Sequence, residues 1–278
     1  MEWFWVIVVL ILVGSSAALL GSFVVLKGFG MLGDAISHAV LPAIVIGYLI
    51  GGIYDNQWFL ILAIILAVAT ALSIEWLHQK TRMYPDGIMG LIFTFLFALG
   101  LIMIDLWTYS VDLDPECVLF GEAAYIPFSI FVIDKAIVPK QLFSSLIIWI
   151  IITIFTAVGF RALAISTFDN VYAHSIRMKP AFWQYSISAL VAILTVIAIE
   201  SVGIVLLLSI LVVPASIAFL WAKRLPSMIL LAQIANIVFI LIGLLFAIYV
   251  DIPISAGIAI VGGCVLLISI ILKQLTTN

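Results

Sequence analysis

The chain is a succession of apolar runs, each about as long as a bilayer's hydrocarbon core is thick, with short polar breaks between them. A helix needs about 20 apolar residues to cross that core. The runs lie at residues 3–26, 32–52, 58–77, 86–107, 141–160, 182–200, 202–222, 227–249 and 254–272. None shows the two-residue alternation of a barrel strand. In lipid every backbone N–H and C=O must be paired inside the protein, and runs of this length achieve that as helices. Composition agrees: 66% of residues are hydrophobic and 9% charged, whereas a soluble domain is about a quarter charged. The expectation is an all-α polytopic membrane protein of eight to nine transmembrane helices. No tandem repeat, linker or low-complexity tract divides it, so residues 1–278 are read as one domain. The first run lacks a basic leader and an A-x-A site, and is read as a retained span.

One break has to be inferred. Ala181 to Trp221 is continuous and apolar; as a single helix it would be about 60 Å long, twice a bilayer. It must fold back, and Glu200-Ser201-Val202-Gly203 is the only polar, glycine-containing break available.

The charges between runs set the orientation, because basic loops stay in the cytoplasm. Residues 78–82, the 161–180 segment with Arg161, Arg177 and Lys179, Lys223-Arg224 and Lys273 are basic. Asp55, then Asp112, Asp114, Glu116 and Glu122, then Asp251 are acidic. Nine spans with the N-terminus outside put every basic site on one face, with Lys135 and Lys140 as exceptions. Residues 118–134 are apolar but carry Glu122 and Pro127. They read as a re-entrant or surface-lying part of an extracytoplasmic 108–140 segment; were they to span, everything before them would invert. Trp3, Trp5, Trp58, Trp107 and Trp221 fall at span ends, as an interfacial belt requires.

Several functions are excluded. A net charge of −3 without a basic block argues against nucleic acid. There is no G-x-x-x-x-G-K-[ST], G-x-G-x-x-G, H-E-x-x-H or G-x-S-x-G. The chain is therefore not expected to be an enzyme, and energy for transport must come from a partner or an ion gradient. Cys117 and Cys264 form no C-x-x-C, and the three histidines leave little room for an intramembrane protease.

The most informative segment is Gly33-Asp34-Ala35-Ile36-Ser37-His38-Ala39-Val40-Leu41-Pro42. Asp34 and His38 are four residues apart and share one helix face. An ionisable side chain at the bilayer centre costs about 2.5–3.5 kcal/mol on insertion scales, so two on one face need a reason. A carboxylate oxygen and an imidazole nitrogen make a half-site for a divalent cation, suited to manganese and open to zinc or iron. Two donors are fewer than a closed structural site uses, which suits binding weak enough to release. The competing reading is an Asp–His hydrogen bond near the cytoplasmic end, with Asp34 capping the helix. Pro42 removes the amide that would bond the carbonyl of His38, freeing that oxygen or kinking the helix.

GSFVVLKGFGMLGDAISHAVLP (residues 21–42) resembles the corresponding stretch of the permease subunits of bacterial ABC importers for manganese, zinc and iron. Ser166 to Ala173 resembles that family's cytoplasmic FD…A segment, and Gly203 to Ala215 its G-x-L…L-x-x-P-A segment. Val111 to Glu122 looks like the manganese-leaning branch. Ala43 stands where the family usually has Gly, and Ser175 where it tends to carry another. The resemblance implies a type II importer permease fold, a homodimer with the translocation path between protomers, in a bacterial inner membrane. It also implies a cytoplasmic ATPase docked through Phe168, Asp169 and Ala173 in the 161–180 coupling loop, and an extracytoplasmic metal-binding protein that delivers the ion. No stably bound cofactor is implied; the metal ion, with Asp34 and His38 as its ligands, is the cargo.

Asp169 is placed to cap a short helix, and Ala173 to leave room for a partner surface. Asp112, Asp114 and Glu116 either concentrate cations or meet the delivery protein, or form a solvated loop. Glu200 either faces the pathway or sits at the outer interface. Gly47 and Gly51 form a GxxxG that serves contact within or between subunits. His78 and His174 are read in loops and given no metal role. The alternative function is an ion-gradient-coupled secondary metal transporter, which would usually show several intramembrane carboxylates and inverted repeats.

Overall fold

The computed structural model describes residues 2–51, 56–81, 83–107, 130–133 and 136–277. In order these form α1 (Glu2–Leu26), α2 (Leu32–Ala39), α3 (Leu41–Gly51), α4 (Asn56–Lys80) and α5 (Pro85–Trp107). A strand pair follows, β1 (Ile130–Ile133) and β2 (Ala136–Pro139). Then come α6 (Lys140–Phe168), α7 (Asn170–Ser175), α8 (Pro180–Val202), α9 (Ile204–Trp221), α10 (Leu225–Val250) and α11 (Ile254–Thr277). Among the described residues nine helical segments are long and apolar enough to span a membrane, α2 and α3 together making the second.

The helix surfaces show which solvent surrounds them. On α6, Ser145, Ile148, Ile152, Thr156, Gly159 and Leu163 turn inward. Ile147, Ile151, Ile154 and Val158, on the opposite face, are exposed and equally apolar. A helix with one greasy face packed and another bare is stable in lipid, not in water. Helix α1 has no bare face through its middle: no residue from Val6 to Leu26 is exposed, because α6, α8, α9 and α10 pack around it. Close approach has a residue-level cause. A side chain at Gly21 would run into the carbonyl of Leu211 on α9, so only glycine fits there. Several hydroxyls inside the bundle bond back to their own helix, as Ser22 does to the Ala18 carbonyl at 2.9 Å and Thr195 to that of Val191 at 2.8 Å.

The fold-back falls where sequence places it. Helix α8 ends at Val202 and α9 starts at Ile204, with Gly203 between them at φ 79°, a backbone that side-chain-bearing residues rarely adopt. At the far end of α9 the Lys273 ammonium donates to the Leu220 carbonyl and lies 5.5 Å from the Trp221 ring.

Three expectations are revised. Helix α6 continues to Phe168, so residues 161–168 are helical and the connection is shorter than 161–180. His78 lies within the last turn of α4, not in a loop. The last part of the 108–140 segment forms an antiparallel ribbon pairing Ile130 with Pro139 and Val132 with Ile137; residues 108–129, and with them Asp112, Asp114 and Glu116, lie outside the described residues.

Candidate functional site

Helix α2 is short for two local reasons. A turn with Gly28 at φ 73° sets it off from α1, and Pro42, lacking an N–H, cannot continue the ladder. The chain bends at Val40, whose carbonyl accepts the amide of Ala43 at 2.9 Å and opens α3. Asp34 sits in the first turn of α2 and His38 in the last, so each charge tendency matches the helix dipole. Met31, not Asp34, occupies the N-cap position, and no side chain caps it. The capping alternative for Asp34 is thereby lost.

His38 Nε2 lies 3.6 Å from Asp34 Oδ1, with the two side chains 34% and 36% exposed. That separation is too long for a good hydrogen bond, whereas two metal bonds of roughly 2.1 Å reach across it. The imidazole is braced by Phe93 at 5.2 Å and Phe97 at 5.8 Å on α5. Its Nδ1 is buried and has no hydrogen-bond partner among the described residues. Behind the pair the helix is pressed into the bundle: a Cβ at Gly33 would meet Leu211 and Leu208 of α9 at 3.1 and 3.3 Å. One face of α2 is thus fixed by packing and the other presents an oxygen and a nitrogen at the surface. Among the described residues no third His, Cys, Asp or Glu joins them.

The second candidate region is α7. Asp169 is its N-cap, and Oδ1 accepts the Tyr172 amide at 2.8 Å. Phe168, Val171 and Tyr172 are exposed, Val171 at 82%. Ala173 is buried at 0%. The neighbour it makes room for here is the bundle itself: α7 packs on α6 and α8, and the small residue is what lets the helix lie close. The segment ends at Arg177 with φ 58°, so the left-handed position falls there, two residues beyond Ser175, whose hydroxyl bonds the Tyr172 carbonyl at 2.8 Å.

Glu200 is exposed at the end of α8, within electrostatic reach of Lys140; the pair on α2 contact one another and not Glu200. Gly47 packs against Phe59 of α4, with 3.2 Å from an ideal Cβ to its Cα, which makes this half of the GxxxG an internal contact. Sequence reading passed over Glu75 and Lys27. Glu75 is buried although ionisable, and burial pushes the Lys27 ammonium down to about 8. A lone Glu inside the apolar run of α4 was the available signal.

A family model described as the ABC 3 transport family matches residues 2–273. The manganese transport system membrane protein MntC of Halalkalibacterium halodurans is 34% identical over 90% of this chain and 80% of its own length. The zinc transport system membrane protein TroD of Treponema pallidum is 29% identical over 93% of this chain and 70% of its own. Among solved structures, PsaBC from Streptococcus pneumoniae in complex with Fab superposes with a TM-score of 0.75 at 28% identity, covering 97% of this chain and 91% of that one.

Proposed function

The chain belongs to the ABC 3 transport family, and we propose that it carries a divalent metal ion, manganese first and zinc or iron next, across the bacterial inner membrane as the permease of an ATP-driven importer. It is a multi-pass membrane protein with nine candidate spans among the described residues. The observation that carries the cargo is the Asp34–His38 pair, an oxygen and a nitrogen 3.6 Å apart on the open face of a buried helix. Oxygen and imidazole donors suit manganese and admit zinc or iron, and the two relatives described above carry manganese and zinc in their names.

The rest of the assembly follows from the same premise. A second copy of the chain supplies the other half of the coordination shell, meeting this one along the exposed side of α2. A cytoplasmic ATPase seats on Phe168, Val171 and Tyr172 of α7, because this exposed apolar group lies on the side that the basic loops assign to the cytoplasm. An extracytoplasmic metal-binding protein delivers the ion, with Asp112, Asp114, Glu116 and Glu200 as entry residues. The chain itself catalyses no reaction, and hydrolysis belongs to the ATPase.

The test is reconstitution with the ATPase in proteoliposomes. Metal uptake should require ATP, stop when the ATPase is inactivated, and persist when a protonophore and a sodium ionophore dissipate the gradients. Uptake driven by a gradient without ATP would establish the secondary-transporter alternative instead.

A further inference from the structure

A polar cavity of about 490 Å³ lies between α7 and the α1–α2 turn, lined by Lys27, Glu75, His78, Gln79, Asn170 and Gln184. Glu75 is its buried anchor, 3% exposed. One carboxylate oxygen accepts Gln79 Nε2 at 3.1 Å and the other accepts the Ser188 hydroxyl at 3.1 Å. Gln79 Nε2 also donates to Gln184 Oε1 at 3.2 Å. Gln184 Nε2 in turn donates to the Ser166 carbonyl at 3.3 Å and to Asn170 Oδ1 at 3.2 Å. A continuous line of hydrogen bonds therefore runs from Glu75 on α4, through α8, to the first residue of α7.

Two other groups along the cavity are left unsatisfied. Lys27 Nζ is buried and has no hydrogen-bond partner among the described residues, although it feels the charge of Glu75. His78 Nδ1 is likewise buried without one, its ring set edge-on to Phe29 at 5.1 Å. An unpaired buried ammonium lining the same cavity as a buried carboxylate is a costly arrangement, relieved if the two meet. The flexible four-carbon stem of Lys27 gives its ammonium reach, and Gly28 after it, at φ 73°, begins the turn into α2. It stands seven residues before Asp34, so one end of the cavity touches the segment leading to the metal pair and the other touches the docking helix.

We propose that Lys27 and Glu75 are positioning residues of the coupling step: they close into an ion pair in one state of the transport cycle and separate in the other, tying the position of α7 to that of α2. Displacement of α7 takes Asn170 from Gln184, which loosens Gln79 and turns the carboxylate toward Lys27. Closing draws the α1–α2 turn inward and shifts α2 against α8 and α9. This rests on the importer reading, in which α7 is the helix that the ATPase moves.

The experiment uses the permease–ATPase assembly in proteoliposomes, with manganese as probe. Lys27→Met and Glu75→Gln should each lower the metal carried per ATP hydrolysed at least fivefold. The double variant should be no worse than either single one, and the exchange Lys27→Glu with Glu75→Lys should regain at least half of the ratio. Wild-type ratios in both assembled single variants would overturn the proposal. A second arm needs no metal. Lys27→Cys with Glu75→Cys, in a chain freed of Cys117 and Cys264, should crosslink at least fivefold faster in one of two states, nucleotide-free or vanadate-trapped. Equal rates in the two states would overturn it. A wild-type assembly that carries no metal with ATP would count against the importer reading, while the crosslinking arm still reports on the pair.

Discussion

Replacing Ala173 by Leu asks whether α7 is held from beneath. The residue is fully buried, and overpacking a tight site by several methylenes typically costs about 1–3 kcal/mol. What holds α7 down is modest. Its start is fixed by a capping bond, Asp169 Oδ1 accepting the Tyr172 amide at 2.8 Å, worth about 1 kcal/mol, and tied to α8 by Gln184 Nε2 donating to Asn170 Oδ1 at 3.2 Å. Its end is closed by the Arg177 amide on the His174 carbonyl at 3.0 Å and the Met178 amide on that of Ala173 at 3.0 Å. The long helices beneath are far better anchored, so the added bulk should lift α7 rather than deform the bundle. Association with the ATPase should then weaken about tenfold, equivalent to about 1.4 kcal/mol, while insertion and the thermal midpoint of the permease change little. Ala173→Ser should be neutral, and Tyr172→Ala should weaken association by removing an exposed contact without moving the helix. The assay is co-purification of the ATPase at graded concentration, read beside uptake. Wild-type association by Ala173→Leu would refute the claim that α7 needs its small inward residue.

Gly203→Val should cut the yield of folded protein, because φ 79° costs a β-branched residue of the order of 1–3 kcal/mol; unchanged yield and melting would contradict the turn. The Lys27 ammonium falls from an ordinary 10.5 to about 8, so the native state holds fewer protons than the unfolded one between those values. Stability should therefore rise with pH across that window, by up to about 3 kcal/mol, and Lys27→Met should flatten the rise in a melting series in detergent. Cysteines introduced at Asp55 or Asp114 should react with an impermeant reagent in intact cells, and those at Gln79 or Ser175 should not; labelling at Gln79 would reverse the topology.

Much of this architecture was legible because lipid imposes a local rule. Each span satisfies its own backbone, so run length alone predicts α1, α4, α5 and the helices after α8. The fold-back at Gly203 followed from length, and the Asp169 cap from residue type. What sequence left open depended on tertiary neighbours. Ala173 reads in sequence as leaving room for a neighbour, and its small size does not say which; the packing on α6 and α8 is visible only in the fold. Phe168 had no signal to mark it as the end of a long helix, since residues 161–168 carry both an arginine and apolar side chains. Glu75 finds its hydroxyl partner 113 residues later, at Ser188, a pairing no local pattern announces. For α2 the spacing put Asp34 and His38 on one face, but the aromatic bracing by Phe93 and Phe97 comes from another helix.

The central claim is that Asp34 and His38 contact the ion as it crosses. The direct measurement is the initial rate of radioactive manganese uptake by proteoliposomes containing the assembled permease and ATPase, comparing wild type with Asp34→Asn and His38→Ala. Asp34→Asn keeps shape but removes the charge, and His38→Ala removes the nitrogen. Each should lower uptake at least about tenfold, a loss of about 1.4 kcal/mol in the transport barrier, with ATPase association intact because neither residue lies on α7. The double variant should fall little further, since ligands of one ion do not act additively. An assembled single variant that carries manganese at the wild-type rate would contradict the account and return the pair to a structural role.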